Sequence, residues 1–219
     1  IRSAGMGGLL HDIGKALVPL EILNKPGKLN DAEFAIMKGH SELGHRLLRD
    51  SDGLDSITLD ICLGHHEKLD GSGYPGNVTG ELISRYARMG AICDVYDALT
   101  SERPYRAGLD PAAALRKMAQ WQGHLDDDLF RVFVSTVGIY PIGTLLRLKS
   151  GRLAVVTGQS DSNLLAPRVV AFYSTKSDMH IDPIKIDLSS KRCQDAVVSC
   201  ESPTDWNFKD LDRLWGGQP

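Results

Sequence analysis

The chain has 219 residues, of which 42% are hydrophobic and 24% are charged, and its formal net charge is −3. These values are typical of a globular protein with a sizeable core, and they exclude a disordered chain and a coiled coil. The small negative charge provides no basic field for bulk binding of nucleic acid. No apolar stretch approaches the roughly 18 residues that span a bilayer, so we expect neither a membrane segment nor a signal peptide in this chain.

Four cysteines occur without a CxxC pair, at Cys62, Cys93, Cys193 and Cys200. This spacing is typical of a reduced, cytosolic protein rather than of a disulfide framework. The opening residues IRSAGMGGLL have the character of part of a helix, and we interpret the chain as a fragment of a longer protein.

Helical patterns broken by loops extend to about Gly143. LNDAEFAIMKGHSELGHRLLRD predicts one helix, with Asn30 or Asp31 as its N-cap. LDSITLDICLGHHEKLD predicts a second helix, which the glycine-rich loop DGSGYPGNVTG ends. ELISRYARMGAICDVYDALTS predicts a third, and DPAAALRKMAQW predicts a fourth with Pro111 in its first turn.

From Thr144 the pattern changes to short strands. TLLRLKSGRLAVVTG predicts two strands joined at Ser150 and Gly151, and PRVVAFYS and PIKIDL continue the β pattern. The predicted fold is therefore mainly α, with a helical bundle core at residues 1–143 and a small C-terminal antiparallel β appendage at 144–190. We expect residues 191–219 to form an irregular tail.

Several histidines and acids fall on the inward faces of the predicted helices. His40 follows Met37 by three residues, and His65 follows Ile61 by four. A single inward histidine is more often a core residue than a ligand. Asp94 lies among small apolar residues and needs either a counter-charge or a raised pKa, so a pair with Arg85 or Arg88 is one interpretation.

Considered together, these residues offer nitrogen and carboxylate ligands without any thiolate: His11, Asp12, His40, His65, His66 and Asp94. Such a set favours Fe, Mn, Zn or Ni over a cysteine-type structural zinc site. A carboxylate beside an imidazole can bridge two cations while the histidine binds one of them. Two neighbouring cations activate water and stabilise in-line displacement at phosphorus, so the pattern predicts metal-dependent phosphoester hydrolysis.

Four motifs occur in order: HDIGK, GH, HHEKLDGSGYP and CDVYDALTSERPYR. This series resembles the HD-GYP family of HD-domain metal-dependent phosphohydrolases, and the resemblance covers roughly Leu9 to Leu188. It implies an HD-type helical core and a bacterial, cytoplasmic phosphodiesterase that hydrolyses cyclic di-GMP to pGpG or GMP. It also implies two or three divalent metal ions, with Fe or Mn favoured over Zn, Ni or Mg.

The same resemblance implies a role for each matching residue. Asp12 would bridge the ions and orient the attacking water, Lys15 would stabilise negative charge at the scissile phosphate, and Asp97 would position water or substrate. The metal ligands would be His11, Asp12, His40, His65, His66 and Asp94. Further substrate contacts would come from Gly73, Tyr74, Arg103 and Arg106. Read without the resemblance, Lys15, Asp97 and the arginines could equally be solvated, and Tyr74 could be a packed loop residue.

The family also implies contacts between GGDEF domains and the glycine-rich loop DGSGYPGNVTG, which we call the GYP loop. A homodimer is compatible with membership of this family. The family has a further metal-binding histidine, and in three-metal members a glutamate, upstream of the HD pair. None of the ten residues before His11 is a histidine or a glutamate. Two alternatives therefore stay open: an inactive module that binds cyclic di-GMP or a GGDEF domain, and an HD hydrolase for another nucleotide.

Overall fold

A computed structural model describes residues 1–102, 108–160 and 162–214. The chain forms two compact units, of which the first contains residues 1–109 and 114–131 and the second contains residues 110–113 and 132 onward. The sequence pattern predicts a boundary at 143, whereas the two units divide between 131 and 132, inside the helix Asp127–Val137.

The described residues form eight α-helices. Of the two predicted N-caps, Asn30 caps the helix Asp31–Lys38. The Asn30 side chain accepts a hydrogen bond from the Glu33 amide, and the Glu33 side chain accepts one from the Asn30 amide. Among the described residues, no helix is both long enough and apolar enough to cross a membrane. The helices are α1 Arg2–Leu10, α2 Leu20–Leu23, α3 Asp31–Lys38, α4 His40–Arg49, α5 Ser56–Gly64, α6 Arg85–Thr100, α7 Pro111–Met118 and α8 Asp127–Val137.

Two predicted helices differ from the observed ones. The segment after Asn30 is two helices rather than one, because the chain is interrupted at Gly39, which ends α3 and precedes α4. The second predicted helix ends at Gly64, where the Glu67 amide donates a hydrogen bond to the Gly64 carbonyl. His65 and His66 therefore lie just after α5 rather than inside a helix.

Glycines allow the elements of the first unit to approach closely where the histidines lie. A Cβ atom on Gly14, in the 3₁₀ helix Ile13–Leu17, would lie 1.9 Å from the His40 carbonyl oxygen and 2.5 Å from the Gly44 nitrogen. A Cβ atom on Gly90 of α6 would lie 2.9 Å from a methyl carbon of Ile61 on α5. These close approaches place the segments that carry the candidate ligands next to one another.

The second unit contains an antiparallel sheet in the order β4-β3-β2-β1-β5. The predicted turn between the first two strands is confirmed, with Gly151 at a φ of 82°, which glycine adopts without steric cost. The strands are β1 Leu145–Leu148, β2 Arg152–Gly158, β3 Arg168–Ser174, β4 Met179–Asp187 and β5 Val197–Cys200.

The C-terminal segment is more ordered than an irregular tail. Residues Val197–Cys200 form β5 and pair with β1, and a 3₁₀ helix follows at Leu211–Leu214. Trp206 and Phe208 pack against the buried cluster around Leu153 and Phe172 on one face of the sheet. The sequence shows no clear period here because single aromatic side chains, separated by polar residues, make these contacts.

Candidate metal centre

The structure brings the six predicted ligands together from four parts of the first unit. His11 and Asp12 follow α1, His40 begins α4, His65 and His66 follow α5, and Asp94 lies in α6. Their ligand atoms form two groups, and within each group all atoms lie within 4.8 Å of one another. Asp12 belongs to both, since the groups are Asp12, His40, His65 and His66, and His11, Asp12 and Asp94.

Backbone carbonyls set the direction of three of the histidine rings. Nδ1 of His11 lies 2.8 Å from the Gly8 oxygen, and Nδ1 of His40 lies 2.7 Å from the Met37 oxygen. Nδ1 of His65 lies 3.0 Å from the Cys62 oxygen. Because a carbonyl oxygen only accepts, each Nδ1 is the donor, and in the neutral ring Nε2 then carries a lone pair. All three Nε2 atoms are therefore available as ligands.

Two of these Nε2 atoms, from His40 and His65, lie close to one carboxylate oxygen of Asp12 in the buried part of the site. Nε2 of His40 lies 3.2 Å from Oδ1 of Asp12, and Nε2 of His65 lies 3.8 Å from the same oxygen. The two Nε2 atoms are 3.4 Å apart, and Oδ1 of Asp12 is buried without a hydrogen-bond donor. Converging lone pairs repel one another unless a cation lies between them. This arrangement fits a divalent metal ion with nitrogen and oxygen ligands.

The second group faces the other oxygen of the same carboxylate. Nε2 of His11 lies 3.3 Å from Oδ2 of Asp12 and 3.6 Å from Oδ1 of Asp94, whose Oδ2 lies 3.7 Å from Nδ1 of His66. Arg88, a candidate partner of Asp94, instead pairs with Asp126 at 2.7 Å. Within the described residues no arginine pairs with Asp94, so its carboxylate is directed at histidines.

The carboxylates of Asp12 and Asp94 attract a cation to the site, which can be a proton on His11 or a metal ion. Hydrogen bonds with Asp12 and then Asp94 raise the pKa of His11 to about 10. Burial opposes the charge of Asp12, but the contacts with protonated His11 and with the Lys15 ammonium outweigh it and hold the pKa of Asp12 far below its ordinary value. Burial lowers the pKa of His65 to about 4 and that of His66 to about 3, so both rings stay neutral. Metal binding therefore displaces a proton from His11.

These pKa shifts predict the pH dependence of the metal-free protein's stability. Protonated His11 stabilises the fold fully below its ordinary pKa of 6.5, and this contribution is lost as the pH rises through about 10. Neutral His65 stabilises the fold above 6.5, and this contribution is lost as the pH falls through about 4. The free energy of unfolding, measured with urea in a chelator, should therefore fall on both sides of pH 6.5. The His11→Gln variant should lack the alkaline decrease, and an unchanged decrease in that variant would contradict the assignment.

A cleft of about 430 Å³ opens beside the second group of ligands and includes Lys15 and Asp97 in its lining. The Lys15 ammonium lies 2.5 Å from Oδ2 of Asp12. The structure thus pairs Lys15 with the candidate bridging carboxylate, in addition to placing it at the cleft. Asp97 is one turn after Asp94 on α6, and its Oδ1 accepts a hydrogen bond from the Ser101 hydroxyl.

The GYP loop places Tyr74 against the candidate ligands. Its ring centroid lies 4.6 Å from that of His66 and 6.4 Å from that of His40. A Cβ atom on Gly73 would lie 2.4 Å from the Lys68 nitrogen and 2.6 Å from the His66 oxygen, so only glycine allows this approach of the loop. Arg103 and Arg106 lie outside the described residues.

Glu67, to which the sequence motifs assign no role, shapes this loop. Glu67 is 5% exposed, and its two carboxylate oxygens accept hydrogen bonds from the amides of Gly76, at 2.6 Å, and Val78, at 3.1 Å. An acid directly after the paired histidines and before a glycine-rich loop is the available signal, because loop amides need acceptors. Glu67 therefore fixes the segment that carries Tyr74.

The Glu67→Gln substitution should destabilise the protein by about 1–3 kcal/mol. The amide of glutamine presents a donor where the carboxylate now accepts, so one loop amide loses its partner in a buried position. Urea unfolding of the variant measures the effect. The control is Glu42→Gln, at an exposed acid near the same loop, which should leave the stability unchanged. Equal stabilities of the two variants would show that Glu67 does not hold the loop.

The chain is similar in sequence to one family model and to several known proteins. The sequence model of the HD domain family matches residues 2–129. The chain is 51% identical over 217 residues to "Cyclic di-GMP phosphodiesterase PA4108" of Pseudomonas aeruginosa, covering 99% of this chain and 52% of that protein. It is 42% identical over 128 residues to "Cyclic di-GMP phosphodiesterase response regulator RpfG" of Xanthomonas campestris, covering 58% of this chain and 34% of that protein.

A third relative carries a different name. The chain is 42% identical over 129 residues to "3'3'-cGAMP-specific phosphodiesterase 1" of Vibrio cholerae, covering 58% of this chain and 30% of that protein. The chain thus spans about half of the length of the Pseudomonas relative and about a third of the other two. The family match includes all six predicted ligands and more than half of the chain. The resemblance to HD-GYP proteins is confirmed by these relatives, and the chain belongs to the HD domain family.

Proposed function

We propose that this chain is a metal-dependent phosphodiesterase that hydrolyses cyclic di-GMP to pGpG or GMP. The observation that carries the proposal is the convergence of two groups of ligand atoms on the two oxygens of Asp12. The 51% identity to a cyclic di-GMP phosphodiesterase over nearly the whole chain supports the substrate. The mainly α, HD-type core is part of the same proposal.

The chain's own residues would hold the ions. His40, His65 and His66 would hold one, His11 and Asp94 would hold a second, and Asp12 would contact both. Bound divalent ions would supply Lewis acidity at the phosphoryl oxygens and would lower the pKa of a water molecule. Iron and manganese fit a nitrogen and oxygen donor set without thiolate, and we propose them over Zn, Ni or Mg.

Residues around these ligands would bind the substrate. Lys15 would exchange its contact with Asp12 for a contact with the negatively charged phosphodiester, because the ions would then neutralise that carboxylate. Asp97 would position water or substrate from the lining of the cleft. Gly73 and Tyr74 would contact substrate from the loop, and Arg103 and Arg106 would pair with its phosphates.

The biological setting forms part of the proposal. The cysteines lack the spacing of a disulfide framework, which supports a cytoplasmic location, and the Pseudomonas and Xanthomonas relatives support a bacterial source. The GYP loop would also contact GGDEF-domain proteins, and the chain would form a homodimer. We further propose that the chain is the output region of a longer signalling protein, since the Pseudomonas relative is about twice as long.

The test combines metal analysis with nucleotide turnover. Protein loaded with Mn²⁺ or Fe²⁺ under anaerobic conditions should bind at least two ions and hydrolyse cyclic di-GMP, and a chelator should abolish both. Chromatography of the products would distinguish pGpG from GMP. Nucleotide binding without cleavage by the loaded protein would instead support the non-catalytic signalling module.

A second substrate is favoured by one observation. The identity to the 3'3'-cGAMP-specific relative is 42% over 129 residues, as high as the 42% over 128 residues to the Xanthomonas protein. The same assay with 3'3'-cGAMP decides between the substrates. A higher kcat/KM for cyclic di-GMP than for 3'3'-cGAMP would support the first proposal, and the reverse order would support the second.

A further inference from the structure

A cluster of Phe34, Lys38 and Tyr74 adjoins the candidate metal centre, and the motif analysis assigned no role to its first two members. The Lys38 ammonium lies 4.8 Å from the centroid of the Phe34 ring and 5.8 Å from that of Tyr74. The rings of Phe34 and Tyr74 meet edge to face, with centroids 6.5 Å apart. Tyr74 itself contacts His66, so the cluster is one ring away from a candidate ligand.

Two features suggest that this cluster binds a ligand rather than stabilising the fold. Phe34 is 45% exposed, although it lies beside a buried histidine cluster. Among the described residues no carboxylate pairs with Lys38, whereas Lys15 and Lys25 each pair with an acid. Contacts with the two rings hold the ammonium in place and leave hydrogen-bond donors unused.

We propose that Phe34, Lys38 and Tyr74 form a subsite that recognises a guanine base of the substrate. Exposed aromatic rings bind the flat face of a nucleobase by stacking. An ammonium donates to O6 and N7 of guanine, which are both acceptors. Adenine presents a donor at its N6 amino group in place of O6, so Lys38 selects guanine. The inference rests on the proposed function, because it adds a base subsite beside the phosphate site.

The position of the subsite fits a nucleotide whose phosphate is held by the metal ligands. A base lies a sugar away from its phosphate, and the Tyr74 ring contacts both sides, with its centroid 4.6 Å from that of His66 and 5.8 Å from the Lys38 ammonium. Lys38 is at the last residue of α3, and His40 begins α4 after the single residue Gly39. One short connection therefore joins the base subsite to a metal ligand, which keeps their separation constant.

The experiment measures binding of GMP and AMP, which contain no diester to hydrolyse, to the Mn²⁺-loaded protein by calorimetry. The wild-type protein should bind GMP more tightly than AMP. The Lys38→Met variant should bind GMP about tenfold more weakly and AMP almost as well as before, whereas Lys38→Arg should keep the preference. The matched control is Lys28→Met, at an exposed lysine before α3, which should bind both as the wild type does.

Other outcomes overturn the inference. An equal loss of affinity for GMP and AMP in Lys38→Met would show that Lys38 contacts phosphate rather than the base. Equal affinities of the wild-type protein for the two nucleotides, or no binding of either, would exclude a guanine subsite. Turnover of cyclic di-GMP is measured separately. A preference for GMP that depends on Lys38, in protein that does not hydrolyse cyclic di-GMP, would reject the proposed function and retain the subsite.

Discussion

The Asp12→Asn variant should lose at least about 4 kcal/mol of transition-state stabilisation, which corresponds to about a thousandfold lower rate of phosphodiester hydrolysis. Asp12 is the one residue that both groups of ligand atoms share, so its substitution affects both proposed ions. Asparagine keeps the shape of the side chain and removes the negative charge that attracts the cations. We therefore expect the metal content of the variant to fall together with its rate.

The variant should still fold. Its amide can donate a hydrogen bond to Nε2 of His40, which lies 3.2 Å from the carboxylate in the wild-type protein. Without metal, the variant should melt at a lower temperature than the wild type at neutral pH, because Asp12 no longer pairs with protonated His11 and with Lys15, but it should still unfold cooperatively. The wild type should gain about 2.7 kcal/mol of stability at a metal concentration of one hundred times Kd, and the variant should gain almost none.

The control for this experiment is Asp60→Asn, at an exposed position of α5 outside the two ligand groups. It should match the wild type in metal content, metal-induced stabilisation and rate. An Asp12→Asn variant with normal metal content and a normal rate would contradict the shared role of Asp12. Normal metal content with a low rate would show that Asp12 acts on the substrate or the attacking water and is not needed to bind the ions.

The structure brings together the residues that the sequence groups as ligands, but one predicted element near them has different bounds. Helical spacing placed His40 and Asp94 on inward faces, and the structure brings both to the site. The second predicted helix continued through His65 and His66. In the structure α5 ends at Gly64, and the two rings lie after it with their centroids 4.1 Å apart.

Other features depend on contacts between residues that are distant in the sequence. The ring contact between Phe34 and Tyr74 leaves no periodic pattern, and neither do the hydrogen bonds that Glu67 accepts from the loop amides. The first four strands were predictable because turn residues separate runs of apolar residues there, whereas β5 lies in the segment predicted to be irregular. The docking of Trp206 on the sheet was not predictable, since it depends on a few separate aromatic contacts.

The Gly14→Ala variant should be destabilised by about 3 kcal/mol or more, the largest effect on stability that we expect from adding one methyl group. Its Cβ atom would lie 1.9 Å from the His40 carbonyl oxygen and 2.5 Å from the Gly44 nitrogen. Both are backbone atoms, so no side-chain rotation can relieve the overlap. The 3₁₀ helix and α4 would separate, which would move Asp12 away from His40.

The matched control is Gly5→Ala in α1, where a Cβ atom would have no neighbour within 4 Å. Alanine there should stabilise the helix by about 0.5–1 kcal/mol, because it reduces the conformational freedom of the unfolded chain. Urea unfolding of the metal-free variants measures both effects, and metal titration of the folded Gly14→Ala protein measures the site. If Gly14→Ala were as stable as the wild type and bound metal normally, the close contact between the two backbones would not position the ligands.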